Sequence, residues 1–207
     1  MSTNFFLRGL IIGFTVAAVV GPISVLIIRR TLAVGRLNGL FSGFGAASAD
    51  AVYASVAGFG LTFISTFLVS QRNILSIVGG FFLFYLGIRA ILAKVEETDL
   101  GHTKSGNLLA AYGSTFFLTL TNPMTILSYT AIFAGLGLGD THGNYASAIG
   151  MILGVFSGTS LWFLLLTSAV SLLHSRFNLK GLQWVNRISG LVLFGFGAAA
   201  LISAAIA

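Results

Sequence analysis

Six long apolar stretches, at about 5–28, 37–69, 74–93, 108–134, 145–173 and 182–206, take up nearly all of this 207-residue chain. A helix needs roughly 20 apolar residues to cross a hydrocarbon core about 30 Å thick. Every backbone N–H and C=O in that core must find a partner, and a helix supplies them within its own segment. The expected fold is therefore an all-α polytopic membrane protein with six transmembrane helices. The second stretch is too long for one upright span and is expected to tilt, bend near Gly58-Phe59-Gly60 or project beyond the bilayer. The connections are too short for a soluble domain, which excludes a soluble catalytic module and a nucleic-acid-binding one. Charged residues make up only 8% of the chain, too few to cover a water-soluble surface.

The net charge of +6 belongs to span ends rather than to a nucleic-acid surface. With six spans, Arg29, Arg30 and Arg36, then Lys94 and Lys104, then Arg176 and Lys180 collect on one side, with Arg89 and Arg187 near it. The other side has Arg8, Arg72 and Asp140. Basic loops stay in the cytoplasm, so both termini are expected outside, in a multi-pass protein of the cytoplasmic membrane. The first 28 residues read as a retained span, because the apolar region is too long for a signal peptide and lacks a clear cleavage site. There is no cysteine, hence no disulfide or thiol chemistry. His102, His142 and His174 lack metal-ligand spacing, so no metal or cofactor is expected.

The chain has two prolines, and both lie inside apolar stretches: Gly21-Pro22 in the first and Asn122-Pro123 in the fourth. A helical proline lacks the N–H that would bond the carbonyl four residues back. Ala18 and Thr119 are accordingly expected to offer carbonyls without a normal helical partner. Matched interruptions in the two halves of a membrane protein point to a transport site; a simple packing kink is the competing reading.

The third and sixth stretches align without gaps. Gly80…Leu83-Phe84…Gly87…Ala90 matches Gly190…Leu193-Phe194…Gly197…Ala200, a shared G-x-x-L-F-x-x-G-x-x-A. Together with the two proline breaks, this predicts two three-helix repeats, 1–93 and 108–207, within one transmembrane domain and joined by the charged connector 94–107. An odd number of spans per repeat forces opposite orientations, giving two inverted repeats. Gly9/Gly13, Gly39/Gly43 and Gly154/Gly158 are spaced for close helix contact. A homodimer through glycine faces is a further expectation.

Asp50 is the one acidic residue inside a span, about 13 residues into the second stretch, or roughly 20 Å along a helix. Small residues and Tyr53 surround it at helical spacing, so it is expected to face other helices rather than lipid. Intramembrane acids are costly and mark ion, proton or substrate pathways; a buried Asp bonded to hydroxyls is the structural alternative. Further candidates for the same cavity are Tyr53 and Tyr85 in the first half, and Thr119, Asn122, Thr125 and Trp162 in the second. Thr15, Ser24, Ser48, Thr121, Ser128, Tyr129, Ser157, Thr159 and Ser160 have suitable side chains as well. Arg89 is expected to snorkel.

The chain resembles the lysine exporter family of bacterial amino-acid exporters over nearly its whole length. The resemblance rests on Gly21-Pro22-Ile23-Ser24, Gly43, Asp50, Gly79-Gly80, Tyr85-Leu86-Gly87-Ile88-Arg89, Asn122-Pro123 and Trp162, in that order and spacing. It implies a six-helix protein of the bacterial cytoplasmic membrane that exports amino acids or related small solutes, driven by the proton-motive force rather than by ATP. An amino-acid ammonium is expected near Asp50, and its carboxylate near helix N–H groups beside Pro22 or Pro123. Transport of another small solute or a cation, or a non-transporting membrane scaffold, are the alternatives. An intramembrane enzyme is disfavoured, since neither a second buried acid nor a base beside a nucleophile is present.

Overall fold

The computed structural model describes residues 2–19, 21–58, 70–92, 106–122, 125, 126, 128, 129, 145–174 and 179–206. Pro123, the Gly58–Gly60 bend beyond Gly58, and the connector 94–105 with its lysines lie outside the described residues. Among those described, the secondary structure is helical without strands. The described residues form seven helices in order: α1 Ser2–Ala18, α2 Pro22–Ala33, α3 Arg36–Gly58, α4 Arg72–Leu92, α5 Leu108–Thr121, α6 Tyr145–His174 and α7 Leu179–Ile206.

The polarity of the molecule is turned inside out. Large apolar side chains such as Ile11, Phe81, Leu109, Leu153 and Leu191 are exposed, whereas Ser42, Asp50, Thr115, Thr159 and Thr167 are buried. In water that arrangement forfeits the hydrophobic drive; in lipid it puts hydrocarbon outside and satisfies polar groups within. The segments Asn73–Leu92, Tyr145–Leu172 and Gln183–Ala205 are each long and apolar enough to cross a bilayer. Asn4–Ala18 with Pro22–Ala33 forms a broken pair that meets the same requirement, bent by 76°. The protein is thus an all-α polytopic membrane protein.

The first apolar stretch is two helices, not one kinked helix. Gly21 is extended (φ −129°, ψ −169°) and caps α2, whose first residue is Pro22. A residue before proline is pushed out of the helical region, and the first helical position needs no N–H, so proline fits there without strain. The expected displacement of a carbonyl inside a helix therefore does not occur at Pro22. Asn122, also before a proline, is likewise extended (φ −77°, ψ 112°) and ends α5. At its other end α5 is capped by Asn107, whose side chain accepts from the Ala110 N–H at 3.0 Å. Between α2 and α3 the turn is only Val34-Gly35, and Gly35 adopts φ 116°, which favours glycine.

Helix α1 lies along α6, and α4 along α7. A Cβ on Gly9 or Gly13 would strike the Met151 or Val155 carbonyl, and one on Gly154 or Gly158 would strike that of Phe6 or Leu10. The two glycine pairs therefore face each other, and the rising numbers on both sides make α1 and α6 parallel. In α4 and α7 the motif glycines cross in the opposite sense. Gly80 meets Gly197, and Gly87 meets Gly190. Phe84 meets its aligned counterpart Phe194, with ring centroids 4.3 Å apart. Helix α3 bridges α5 and α6. It runs parallel to α5, through the contacts Ser42–Ala111 and Tyr53–Leu120, and antiparallel to α6, through Arg36–Ser168 and Asp50–Thr159.

Candidate functional site

The two helix breaks and the middle of α3 meet at one cavity of about 270 Å³. Its wall includes Thr15, Gly21, Pro22 and Ser24 from the first break, and Ala46 and Asp50 from α3. Thr119, Asn122, Thr125 and Ser128 come from the second break, and Phe163 and Phe196 from α6 and α7.

Asp50 is 4% exposed, and Ala46, Ala47, Tyr53 and Ala54 on its own helix are buried with it. Small neighbours let α5 and α6 approach closely enough to cover the carboxylate. The Thr159 hydroxyl donates to Asp50 Oδ2 at 2.9 Å and lies 3.2 Å from the Gly13 carbonyl. One hydroxyl proton serves only one of these acceptors at full strength, so α1 and α3 compete for the same donor on α6. The Tyr129 phenol interacts with Asp50 as well, and its ring stacks on Tyr53 with centroids 5.7 Å apart.

Around the second break the carbonyls are satisfied differently from the sequence expectation. The Thr119 carbonyl accepts from the Asn122 N–H at 3.2 Å, because the chain tightens into a turn before it extends. The neighbouring Leu120 carbonyl accepts from the Tyr53 hydroxyl at 2.6 Å. Tyr53 thus braces the break rather than presenting its hydroxyl to Asp50. It is the side chain of Thr119, not its carbonyl, that is left over: its hydroxyl is buried without a hydrogen-bond partner among the described residues.

Of the residues singled out from sequence, Gly21, Pro22, Asp50, Thr119, Asn122 and Thr125 line the cavity together. Tyr85 does not; it is 52% exposed on α4, with Arg89 3.4 Å from its hydroxyl. Trp162 packs edge-on against Phe14 at 5.3 Å instead of lining the wall. Thr159 was one hydroxyl among many, and nothing in the sequence marked it as the partner of Asp50. Phe163 and Phe196 were missed, since apolar wall residues have no polar signal; the one hint is that Phe163 follows Thr159 by four residues, on the same helix face. The sequence marks Arg30 only as a topology charge, yet it donates hydrogen bonds to both α3 and α5.

Fold and site together define a polytopic membrane protein whose helices form a largely apolar cavity with one buried carboxylate among the described residues on its wall. The chain belongs to the LysE type translocator family, whose model matches residues 14–204. It is similar to the "Putative amino acid efflux protein YcgF" of Bacillus subtilis (strain 168), 27% identical over 199 residues, covering 94% of this chain and 93% of that protein. It is also similar to a threonine efflux protein of Salmonella typhi, 25% identical over 188 residues, covering 88% of this chain and 90% of that one. A leucine efflux protein of Salmonella choleraesuis is 25% identical over 189 residues, with 88% of each chain covered. No solved structure matches the chain.

Proposed function

We propose that this protein exports amino acids across the bacterial cytoplasmic membrane by alternating access, coupled to the proton gradient. The observation that carries the reading is Asp50, a buried acid on the wall of the cavity where two proline-broken elements meet. A carboxylate there serves an ammonium or a proton in turn, because either cation removes the cost of a bare charge in low dielectric. Efflux relatives that match almost end to end support the amino-acid class. Among the described residues the cavity wall holds one acid and no base, which suits a solute with one ammonium and a neutral side chain better than a dibasic one.

The same reading includes six spans arranged as two inverted three-helix repeats. Its support is the parallel pairing of α1 with α6 and of α3 with α5, together with the antiparallel crossing of aligned glycines in α4 and α7. Six alternating spans require each of those senses.

Uptake of labelled leucine, threonine and lysine into inverted vesicles, with and without an imposed pH gradient, tests the function. Gradient-dependent accumulation of a neutral amino acid is expected. Asp50→Asn keeps the size of the side chain and should lose that accumulation while the protein still folds. Full accumulation by that variant would remove Asp50 from the mechanism.

A further inference from the structure

Arg30 is the polar centre that the transport reading leaves unused. Its Nη2 donates to Ser114 Oγ at 2.8 Å, and the two hydrogens of Nη1 are shared among Ser42 Oγ and Thr115 Oγ1, each at 2.8 Å, and the Ala111 carbonyl at 2.9 Å. One side chain therefore ties α2, the second half of the broken span, to both α3 and α5. All four acceptors are neutral, and Asp50 is the only acidic residue among the described residues.

The position of this clasp is as informative as its chemistry. Ser24, Ala46 and Thr119 line the cavity. Arg30, Ser42 and Thr115 lie six, four and four residues from them on the same helices, roughly 6–9 Å toward the α2–α3 turn. Between the two levels Leu26, Ile27, Leu118 and Leu193 are fully buried. Arg29 Nε donates to Asn186 Oδ1 at 3.1 Å, and Arg36 Nη2 to Ser168 Oγ at 3.0 Å, beside the clasp. The cavity is thus sealed from this basic end by an apolar plug, with an arginine layer behind it.

The clasp is also built to open. The Ser114 hydroxyl donates to the Ala110 carbonyl at 2.5 Å, and Thr115 and Ser42 donate to that of Ala111 at 2.9 and 3.5 Å. If Arg30 leaves, those hydroxyls keep their own bonds. The guanidinium does not, and its best replacement is a carboxylate, which matches its fork with two parallel bonds and, unlike the neutral hydroxyls, carries the opposite charge.

We propose that Arg30 is the gate residue at the basic end of the pathway: its clasp holds the cavity shut from that side, and the carboxylate of an arriving solute takes the guanidinium from Ser42, Ser114 and Thr115. The proposal rests on the transport reading of the Asp50 cavity, but its first test does not require transport.

Because the chain has no cysteine, Ser24→Cys places a single thiol on the cavity wall. Its rate of reaction with a membrane-impermeant maleimide is measured in right-side-out and inverted vesicles. Three backgrounds are compared: Arg30 intact, Arg30→Ala, and Ser42→Ala with Thr115→Val, which keeps the arginine and removes two acceptors. Labelling from the basic-end side should rise about tenfold or more in both altered backgrounds, since two or more hydrogen bonds holding the closed form are gone. Unchanged labelling in the acceptor variant overturns the gate, and that variant decides alone if Arg30→Ala fails to assemble. In the intact background, sodium acetate should speed labelling relative to sodium chloride at equal ionic strength and pH; equal rates overturn the carboxylate trigger. With transport measured on the chain that keeps Ser24, faster labelling without any amino-acid movement would sink the transport reading and leave the gate, while normal transport with unchanged labelling would do the reverse.

Discussion

If the proposed transport is coupled to protons, Thr159 is the residue on which that coupling should turn. Its single hydroxyl proton faces two acceptors, Asp50 at 2.9 Å and the Gly13 carbonyl at 3.2 Å. A charged carboxylate wins that competition, because a hydrogen bond to an ion is worth about 1.5–3 kcal/mol against roughly 1 for a neutral pair. On the proposed transport reading, a proton or an ammonium at Asp50 would release the hydroxyl to Gly13, and α6 would exchange a hold on α3 for a hold on α1. Thr159→Val has the same shape and neither option. It should retain downhill exchange of a labelled neutral amino acid but lose most of the accumulation driven by a pH gradient, as read in the same vesicles. A second substitution separates bracing from binding. Tyr53→Phe leaves the Leu120 carbonyl without the donor seen at 2.6 Å. It should lower stability by about 1–3 kcal/mol in detergent unfolding, with substrate affinity changed little. Asp50 was legible in the sequence because it is the only acid in an apolar stretch. Thr159 was not, because a sequence gives the phase of each helix but not which phase faces which neighbour. Tyr85 fits the same composition as Tyr53, yet it lies more than half exposed on α4.

At the scale of elements, proline and glycine do most of the placing. Both breaks follow from the same local rule, an extended residue before proline, which makes their location readable from two dipeptides. What the dipeptides do not give is the turn that precedes the second break, where Asn122 reaches back to Thr119. The glycine pairs were readable as contact faces but not as partners, since Gly9/Gly13 and Gly154/Gly158 are some 145 residues apart in the chain. Their pairing yields a sharp contrast between glycines. A Cβ on Gly13 would strike the Val155 backbone, whereas one on Gly113 meets nothing within 4 Å. Gly13→Ala should therefore cost about 1–3 kcal/mol through overpacking. Gly113→Ala should be neutral or stabilise by up to about 1 kcal/mol, because alanine is the better helix former. Denaturant titration of the two variants in mixed micelles, followed by circular dichroism, reads the difference; equal midpoints would mean that α1 and α6 do not meet through these faces.

At the scale of the whole molecule, one end is more basic than the other, with Arg29, Arg30 and Arg36 at one and Arg8 and Arg72 at the other, and the helices fix which residues belong to each. Arg29, Arg30 and Arg36 engage Asn186, Ser42, Ser114, Thr115 and Ser168, and so bring α2, α3, α5, α6 and α7 to one level. Asn4 begins at the opposite end, since α1 runs parallel to α6 and Gly9 lies beside Met151, far from Ser168. Moving three guanidiniums across a bilayer during insertion is costly, so the end that carries them is expected on the side of synthesis. The glycine crossing of α4 and α7 adds a constraint: if the halves are inverted copies, charge bias alone breaks the degeneracy between two otherwise equivalent orientations. The orientation is then a test of the whole arrangement. Single cysteines at Asn4 and at Leu37, the latter 59% exposed beside Arg36, can be placed without background because the chain has none of its own. In intact cells an impermeant maleimide should label Asn4→Cys, and should reach Leu37→Cys only after permeabilisation. The reverse pattern would put the arginine layer outside and make Arg30 the exit rather than the entrance of an export pathway. Labelling of both positions in intact cells would mean that the charge bias fails to fix a single orientation.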